Sequence, residues 1–225
     1  MITERQGEVL NRIVQEYIAL AQPVSSQLLG KKHKLGVSPA TIRNEMQELT
    51  DQGYLFQPYT SAGRVPTDKG YRFFVDELLG KDWLLDQVEQ LVAQPGRAIR
   101  DPFEFVKEAT KFLAVESSDL ALGYLADEKI FWKEGWQDIF EEPEFSEPGL
   151  AASFARMIED FEENIEEMFL PEIKIYIGKE NPISKNEDFS ILTSGFDGGL
   201  FAILGPKRMS YDKNIELLNK LWEKI

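Results

Sequence analysis

Residues 38–70 read SPATIRNEMQELTDQGYLFQPYTSAGRVPTDKG, and this stretch decides the fold of the amino-terminal part of the chain. It opens with Ser38, a residue type that caps helices, and continues with Pro39 at the first helical position, where a missing N–H group costs nothing. Gly53 can take the left-handed conformation that ends many helices. The pattern predicts a well-defined helix between Ser38 and Gly53.

This predicted helix separates its residues into an apolar and a polar face. Ile42, Met46 and Leu49 share one side at about 100° per residue and are expected to enter a core. The opposite side offers hydrogen-bonding groups, small residues and one cation: Ser38, Pro39, Ala40, Thr41, Arg43, Asn44 and Gln47. Such a face is either simply solvated, as on any small helical domain, or a surface that contacts base edges in DNA.

The residues before Ser38 predict two further helices. Apolar pairs four residues apart between Val9 and Ile18 predict an amphipathic helix, which Thr3 caps and Pro23 ends. Ser25 caps a short second helix, and Gly36 lies in the turn that follows it. The Ser25 helix, the turn with Gly36 and the Ser38 helix are in helix-turn-helix order. In that motif early residues of the later helix, here the one that begins at Ser38, contact the major groove.

Residues 54–67 follow the helix and predict a two-stranded hairpin, which makes the arrangement a winged helix-turn-helix. The hairpin tip is expected to carry Ser61, Gly63 and Arg64, small groups that let the backbone approach a phosphate and a cation suited to a phosphate or a narrow minor groove. A basic cluster between the two helices is also expected to contact the DNA backbone; it consists of Lys31, Lys32 and Lys34. His33 is expected to be a surface group.

The net charge of −14 is divided unevenly along the chain. Residues 1–80 contain nine Lys and Arg against nine Asp and Glu, whereas residues 81–225 contain 16 against 30, which accounts for the whole excess. Binding to nucleic acid depends on clustered cations that displace counterions from phosphate. The neutral amino-terminal part can therefore bind DNA although the chain as a whole is acidic.

Composition excludes several kinds of site and segment. The sequence has no cysteine and one histidine, so disulfides, thiol catalysis, iron–sulfur clusters and the common zinc sites are not expected. We predict no metal and no cofactor. No run of about 18 apolar residues and no cleavable amino-terminal signal is found, so we predict a cytoplasmic protein without membrane contact.

Residues 101–225 alternate between helical and strand patterns. DLALGYL, KIFWKEG, EIKIYIG, DFSILTSGF and GLFAILG predict strands, and helical patterns cover residues 102–117, 148–169 and 211–225. The fold class predicted is α+β with a mostly antiparallel sheet. We place the domains at residues 1–80 and 101–225, with residues 81–100 as a helical linker.

No grouping of residues indicates catalysis, so we predict that the protein is not an enzyme. The acidic stretch from Glu159 to Met168 has apolar residues at helical spacing and is expected to be the solvated face of a helix. Gly195 to Gly199 lacks the lysine and following helix of a phosphate-binding loop. Lys207 and Arg208 form a basic pair that leaves a small-anion site open as an alternative.

The quoted segments resemble the HrcA family of bacterial heat-inducible transcription repressors. TERQ, EYI, PVSSQLL and the stretch from LGVSPATIRNEM to VDELL are similar to its amino-terminal domain, almost without a gap between residues 3 and 79. GWQDIFEEPEF, IYIGKEN, FSILTSGF and GGLFAILGPKRMSYDKNIELL resemble its carboxyl-terminal domain, which has a GAF-like fold. The resemblance therefore implies a winged helix-turn-helix domain followed by a GAF-like domain.

The resemblance also implies a function. A member of this family is expected to bind double-stranded DNA at an inverted-repeat operator, the CIRCE element, upstream of chaperone operons, as a homodimer associated with the nucleoid. The resemblance further implies that heat releases the operator and that a GroEL-type chaperonin is a partner. Longer members carry an inserted dimerisation domain where this chain has only residues 126–134, which leaves the dimer interface open. The alternative is a ligand-sensing or interaction protein that acts through the GAF-like domain, with DNA binding secondary or lost.

Overall fold

The computed structural model describes residues 2–80, 101–170, 172–184 and 186–223. The chain divides into two compact units, with the boundary between Leu79 and Gly80. The predicted helical linker, residues 81–100, lies outside the described residues. Within the described ranges, no helix combines the length and the apolar character needed to cross a membrane.

The amino-terminal unit combines helices with a short antiparallel sheet. Its helices are α1 (Glu4–Leu20), α2 (Ser26–Lys32), α3 (Pro39–Asp51) and α4 (Asp68–Leu79), and its strands are β1 (Leu55–Phe56) and β2 (Val65–Pro66). Phe56 pairs with Val65 in the antiparallel sheet, so the two strands form a hairpin whose loop is residues 57–64. The predicted order of helices and strands is therefore confirmed in this unit.

The caps predicted from the sequence set the ends of these helices. The hydroxyls of Thr3, Ser25 and Ser38 each accept a hydrogen bond from a backbone N–H group in the first turn of the helix that follows. Gly36 and Gly53 have φ angles of +69° and +77°, as the turns after α2 and α3 require. Local chemistry thus fixes where α3 begins and ends.

The apolar face of α3 enters the core of this unit, as predicted. Ile42 and Leu49 are fully buried and Met46 is nearly so. Leu10 and Ile13 of α1 are also fully buried in this unit. Burial of one stripe of α3 leaves its opposite stripe to face outwards.

The carboxyl-terminal unit is built around a five-stranded sheet. The strands are β3 (Leu120–Leu125), β4 (Ile130–Glu134), β5 (Lys174–Ile177), β6 (Phe189–Phe196) and β7 (Gly199–Pro206). They lie in the order β4-β3-β7-β6-β5, and every neighbouring pair is antiparallel. The predicted α+β class with an antiparallel sheet is confirmed.

Helices lie on both faces of this sheet. They are α5 (Pro102–Ser117), α6 (Trp136–Glu141), α7 (Pro148–Glu163) and α8 (Tyr211–Glu223). Phe154 and Phe161 of α7 join Leu122 and Leu204 in one buried cluster on the first face. On the other face Gly123 lies so close to α5 that a Cβ atom there would be 2.1 Å from the Thr110 hydroxyl oxygen.

Two features of this unit differ from the prediction. The helix predicted over residues 148–169 ends at Glu163 and continues as a 3-10 turn, Ile165–Met168. At the break, the side-chain amide of Asn164 donates to the Asp160 carbonyl, a local bond that competes with the helix. The short helix α6 and the 3-10 turn Pro143–Ser146 were not predicted.

Candidate nucleic-acid interface

The outward face of α3 carries most of the residues predicted to contact DNA bases. Ser38, Pro39, Ala40, Arg43 and Asn44 are exposed, and Thr41 is half-buried. The Ser38 hydroxyl accepts the N–H group of Thr41 and lies 3.0 Å from the Thr41 hydroxyl, so both hydroxyls take part in the cap. The side chains of Arg43 and Asn44 make no hydrogen bond within the described ranges, which leaves their side-chain donors available.

Arg43 also lines a cleft of about 440 Å³ in the amino-terminal unit. The cleft lies between the start of α2, the outward face of α3 and the hairpin loop. Ser25, Gln57, Ser61 and Arg64 are among the other residues on its walls. The fold thus brings a predicted base-contacting residue and predicted hairpin residues to one concave surface.

Arg64 does not lie at the hairpin tip, so that part of the prediction is wrong. Its guanidinium donates from Nε to the Thr50 hydroxyl and from Nη2 to the Gln47 side-chain oxygen, each at 2.9 Å. The tip is instead the turn of residues 59–62, where the Ala62 N–H donates to the Tyr59 carbonyl. The Arg64 side chain is long enough to reach back to α3, and it holds the base of the loop there.

The backbone of Arg64 is fixed as well. Its N–H donates to the Val24 carbonyl at 2.8 Å, and the Val24 N–H donates to the Arg64 carbonyl at 2.9 Å. This bridge ties the segment before α2 to the hairpin as a third, strand-like neighbour. The sequence contains no local signal for it, because the two residues are far apart along the chain.

Gly63 is required for packing inside the unit. A Cβ atom at this position would lie 2.3 Å from the Val24 carbonyl oxygen, closer than any side chain tolerates. The sequence did not show this steric need for glycine, and the close approach of a phosphate to Gly63 stays a prediction. Ser61 is exposed and faces the cleft.

Gln47 is bonded at both ends of its side-chain amide. Its oxygen accepts from Arg64, and its nitrogen donates to the Asp51 carboxylate at 2.8 Å. A base edge would have to displace one of these bonds, and the structure therefore gives Gln47 a supporting position. Asn44, one turn closer to the start of α3, has no such bond.

The basic cluster between α2 and α3 divides into free and bound residues. The Lys32 ammonium and the His33 ring nitrogen each lie 2.8 Å from an oxygen of Glu16, which is buried in α1. Burial tends to raise the pKa of Glu16, but the hydrogen bonds from both residues outweigh it and lower that pKa. Lys31 and Lys34 are exposed and make no such contact within the described residues.

Two predictions for this cluster therefore need correction. Lys32 is engaged by Glu16, and the prediction of His33 as a surface group is wrong, because its side chain is only 19% exposed and is paired. The burial of Glu16, which binds Lys32 and His33, was not predictable from the sequence, since Glu16 lies among the polar residues of an amphipathic helix. Both bound residues help to fix the end of α2 against α1.

The unpaired cations of the amino-terminal unit lie in one segment. Within residues 2–80, every other Lys or Arg makes a hydrogen bond or an ion pair, as Arg5 does with Glu45 and Lys69 does with the Gln52 carbonyl. Those that make none are Lys31, Lys34 and Arg43. All three fall between the end of α2 and the first turns of α3, where they are free to meet phosphate or base edges.

The basic pair of the carboxyl-terminal unit does not form a small-anion site at Arg208. Its guanidinium donates to Glu144 at 2.5 and 2.9 Å, and also to Glu142, and its side chain is only 12% exposed. Burial acts to lower the pKa of Arg208, but the two carboxylates raise it overall. Arg208 is thus neutralised within the unit. In the described part of the chain, no group of acidic or histidine side chains is arranged to hold a metal.

Parts of the chain are similar in sequence to known proteins. The family model described as the HrcA protein C terminal domain matches residues 72–215. Heat-inducible transcription repressor HrcA of Alkaliphilus metalliredigens is 62% identical over 78 residues, 35% of this chain and 23% of that protein. HrcA of Streptomyces avermitilis is 59% identical over 80 residues, 36% of this chain and 24% of that protein.

Longer alignments are less similar. HrcA of Acetivibrio thermocellus is 37% identical over 129 residues, which are 57% of this chain and 37% of that protein. The matched part of this chain thus spans between 23% and 37% of the length of these relatives. A crystal structure of a hypothetical protein at 2.2 Å resolution has the same fold, with a TM-score of 0.80 and 20% identity over 99% of this chain and 96% of that one. Since the family model covers more than half of the sequence, the chain belongs to the HrcA family.

Proposed function

We propose that this protein is a DNA-binding transcription repressor of bacterial heat-shock operons. The observation that carries the proposal is the position of the unpaired cations Lys31, Lys34 and Arg43 on and beside the outward face of α3. Its relatives are named heat-inducible transcription repressors. In this proposal residues 1–80 are a winged helix-turn-helix domain, and residues 101–225 are a GAF-like domain.

The outward face of α3 is the element proposed to enter the major groove. Arg43 suits a bidentate hydrogen bond to guanine, because its guanidinium presents two N–H donors in one plane. Asn44 suits a bidentate hydrogen bond to adenine, because its side-chain amide presents a donor and an acceptor in one plane. The other residues of the proposed contact lie at the start of the helix: Ser38, Pro39, Ala40 and Thr41. Their small size allows the start of α3 to approach the bases closely.

The remaining contacts are proposed to be with the DNA backbone. Lys31 and Lys34 would neutralise phosphates beside the groove, and Ser61 would offer a hydroxyl from the hairpin loop. Arg64 and Gln47 act indirectly, because their mutual hydrogen bond holds the loop against α3 and so keeps both parts of the interface in register. The ammonium group of Lys32, which is hydrogen-bonded to Glu16, would attract the DNA backbone by its charge without direct contact.

The biological setting is proposed from the relatives and from the symmetry of inverted repeats. Two copies of the chain would place two copies of α3 on the two half-sites, as a homodimer does. Bound at such an operator in the cytoplasm, the protein would block transcription of chaperone genes and release the DNA on heat stress. A GroEL-type chaperonin is the proposed partner that reports the stress.

A binding experiment with two duplexes tests the proposal. Fluorescence anisotropy is measured with a labelled inverted repeat from upstream of a chaperonin operon and with a scrambled duplex of the same length. Arg43→Ala should reduce the preference for the repeat by about 1–3 kcal/mol, because a base contact is lost. Arg12→Gln is the control, since Arg12 lies on α1 and donates to Gln15.

Salt dependence separates the backbone contacts from the base contacts. The double variant Lys31→Gln and Lys34→Gln should weaken binding to both duplexes alike. The slope of the logarithm of the affinity against the logarithm of the salt concentration should become smaller in magnitude by about two. The proposal fails if the unchanged protein does not prefer the inverted repeat over the scrambled duplex at moderate salt. That result would favour the alternative, in which the GAF-like domain acts as a ligand-sensing or interaction module.

A further inference from the structure

The cleft between α2, α3 and the hairpin loop carries positive charge on its walls. Two arginine side chains line it, Arg43 and Arg64, and no Asp or Glu is among the described residues on its walls. Arg64 is half-buried, and its guanidinium bonds to neutral groups, the Thr50 hydroxyl and the Gln47 amide oxygen. A concave surface with charge of one sign concentrates the electric field, so the cleft attracts anions.

Two neutral side chains with available donors line the same cleft. Gln27 extends from α2 and Ser61 from the hairpin loop, and both side chains are exposed. Neither the Gln27 amide nor the Ser61 hydroxyl makes a hydrogen bond with another described residue. Gln27 was not among the residues predicted to contact DNA. The cleft thus combines two cations and two neutral donors that three separate elements contribute.

Hydrogen bonds between these three elements fix the shape of the cleft. The backbone bridge between Val24 and Arg64 joins the segment before α2 to the hairpin, and the Arg64 side chain joins the hairpin to α3. The loop is also closed on itself, since the Gln57 amide nitrogen donates to the carbonyls of Thr60 at 3.0 Å and Ala62 at 2.9 Å. A site that is fixed before binding loses little conformational freedom when a ligand enters.

The ligand that suits this chemistry is a phosphate group. Phosphate oxygens accept hydrogen bonds and carry negative charge, so they bind to the cations and donors that the cleft supplies. Carboxylates would repel them, and the described walls of the cleft carry none. The volume of about 440 Å³ lies within the range of small-molecule sites, about 300–1,000 Å³. The cleft therefore has room for a phosphate together with parts of the sugars on either side of it.

We propose that the cleft binds one phosphodiester group of the DNA backbone in each half-site, with the Gln27 amide and the Ser61 hydroxyl as donors to its oxygens. This inference rests on the proposed function, in which α3 enters the major groove. The strand that borders this groove then passes between α3 and the hairpin, and the first helix of a helix-turn-helix, here α2, crosses the backbone. Arg64 acts on the same phosphate by its charge while it holds the hairpin to α3.

A thermodynamic cycle between protein variants and DNA variants tests this contact. The labelled inverted repeat is prepared as a series of duplexes, each with an uncharged methylphosphonate in place of one phosphate of each half-site, at successive positions. Gln27→Met removes the amide and keeps the length of the side chain. It should bind the unmodified repeat about tenfold more weakly for each half-site, because a hydrogen bond to a charged group is lost, and Ser61→Ala should show a similar loss. Circular dichroism verifies that both variants are folded.

The cycle should identify one phosphate in each half-site. At that position the loss caused by Gln27→Met or by Ser61→Ala should shrink to about threefold or less, because the charge that strengthens both hydrogen bonds is gone. At every other position the two variants should keep their full loss. Gln52→Met is the matched control, since Gln52 is exposed just after the last residue of α3 and does not line the cleft. Its affinity should stay within about twofold of that of the unchanged protein on every duplex.

The inference is overturned if Gln27→Met binds the unmodified repeat as the unchanged protein does, or if its loss is the same at every methylphosphonate position. It is also overturned if Gln27 and Ser61 respond at different positions, since the cleft then holds no single phosphate. Because a phosphate contact reads no sequence, Gln27→Met should keep the preference for the inverted repeat over the scrambled duplex. A cycle that fails while the unchanged protein prefers the repeat removes this inference alone, whereas absence of that preference removes the proposed function and this inference with it.

Discussion

The stability of the carboxyl-terminal unit is expected to depend on the protonation of Asp119. This residue is only 5% exposed, and its carboxylate accepts a hydrogen bond of 2.8 Å from the Asn214 side-chain nitrogen. The side-chain oxygen of Asn214 is buried and has no partner among the described residues. The pKa of Asp119 is raised from 3.8 to about 7, mainly by burial. Burial outweighs the hydrogen bond from Asn214, which by itself lowers this pKa.

The size of the effect follows from this difference in pKa. The folded protein holds a proton on Asp119 between the unfolded value of 3.8 and the folded value of about 7, whereas the unfolded chain releases it. The stabilisation is complete below the unfolded pKa and is lost as the pH rises through the folded pKa. The free energy of unfolding should fall by about 1.4 kcal/mol per pH unit in this window, about 4 kcal/mol in all, and then level off.

The assay is urea unfolding followed by tryptophan fluorescence, since all four tryptophans lie after residue 80. Asp119→Asn keeps the shape of the side chain and cannot titrate, and its amide can donate to the unpaired oxygen of Asn214. The difference in unfolding free energy between this variant and the unchanged protein should grow by about 2 kcal/mol from about pH 5.5 to about pH 7. Background titration of the other acidic groups cancels in this difference. A difference that stays flat over that range would refute the reasoning.

Three further predictions concern single side chains. Gly63→Ala should destabilise the amino-terminal unit by about 1–3 kcal/mol, measured by thermal unfolding with circular dichroism, because the new Cβ would collide with the Val24 carbonyl. Gly149→Ala is the control for an added methyl group, since it lies in α7 of the other unit with its nearest atom 3.9 Å away; it should be neutral or stabilise by up to about 1 kcal/mol, because alanine favours a helix over glycine. Arg208→Met should lower the free energy of unfolding, measured with urea, by about 3 kcal/mol, since two partly buried carboxylates lose their cation. An unchanged urea midpoint would show that these ion pairs contribute nothing to stability. Glu16→Gln should be less stable than the unchanged protein above the ordinary glutamate pKa of 4.5. This difference in stability should vanish as the pH falls through the lowered pKa of Glu16, because Glu16 is then protonated and neutral, as glutamine is at every pH.

The sequence predicts features that depend on residues close together in the chain. The cap formed by Ser38 was predictable because its hydroxyl bonds an N–H group only three residues away. The buried stripe of α3 was predictable because Ile42, Met46 and Leu49 repeat at helical spacing. The strands of the carboxyl-terminal unit were predictable for the same reason, since each is a continuous run of branched and aromatic residues.

Features that depend on tertiary contacts were not predictable. The partners of Arg64 are 14 and 17 residues away and become neighbours only when the hairpin folds back on α3. The charge balance predicted that the amino-terminal part can bind DNA through clustered cations, but the burial of Glu16 decides that Lys32 is bound and Lys31 is not. The helix α6 has six residues and no side-chain cap, too little for a periodic signal.

The backbone bridge between Val24 and Arg64 constrains how the length of this domain can vary. Val24 is fully buried, and its two hydrogen bonds to Arg64 fix which residue of the segment before α2 faces the core. Since neighbouring residues of an extended segment point to opposite sides, one residue inserted between α1 and α2 would turn a polar side chain inwards. Relatives should therefore tolerate insertions in the turn of residues 59–62 and keep the spacing between α1 and α2 unchanged.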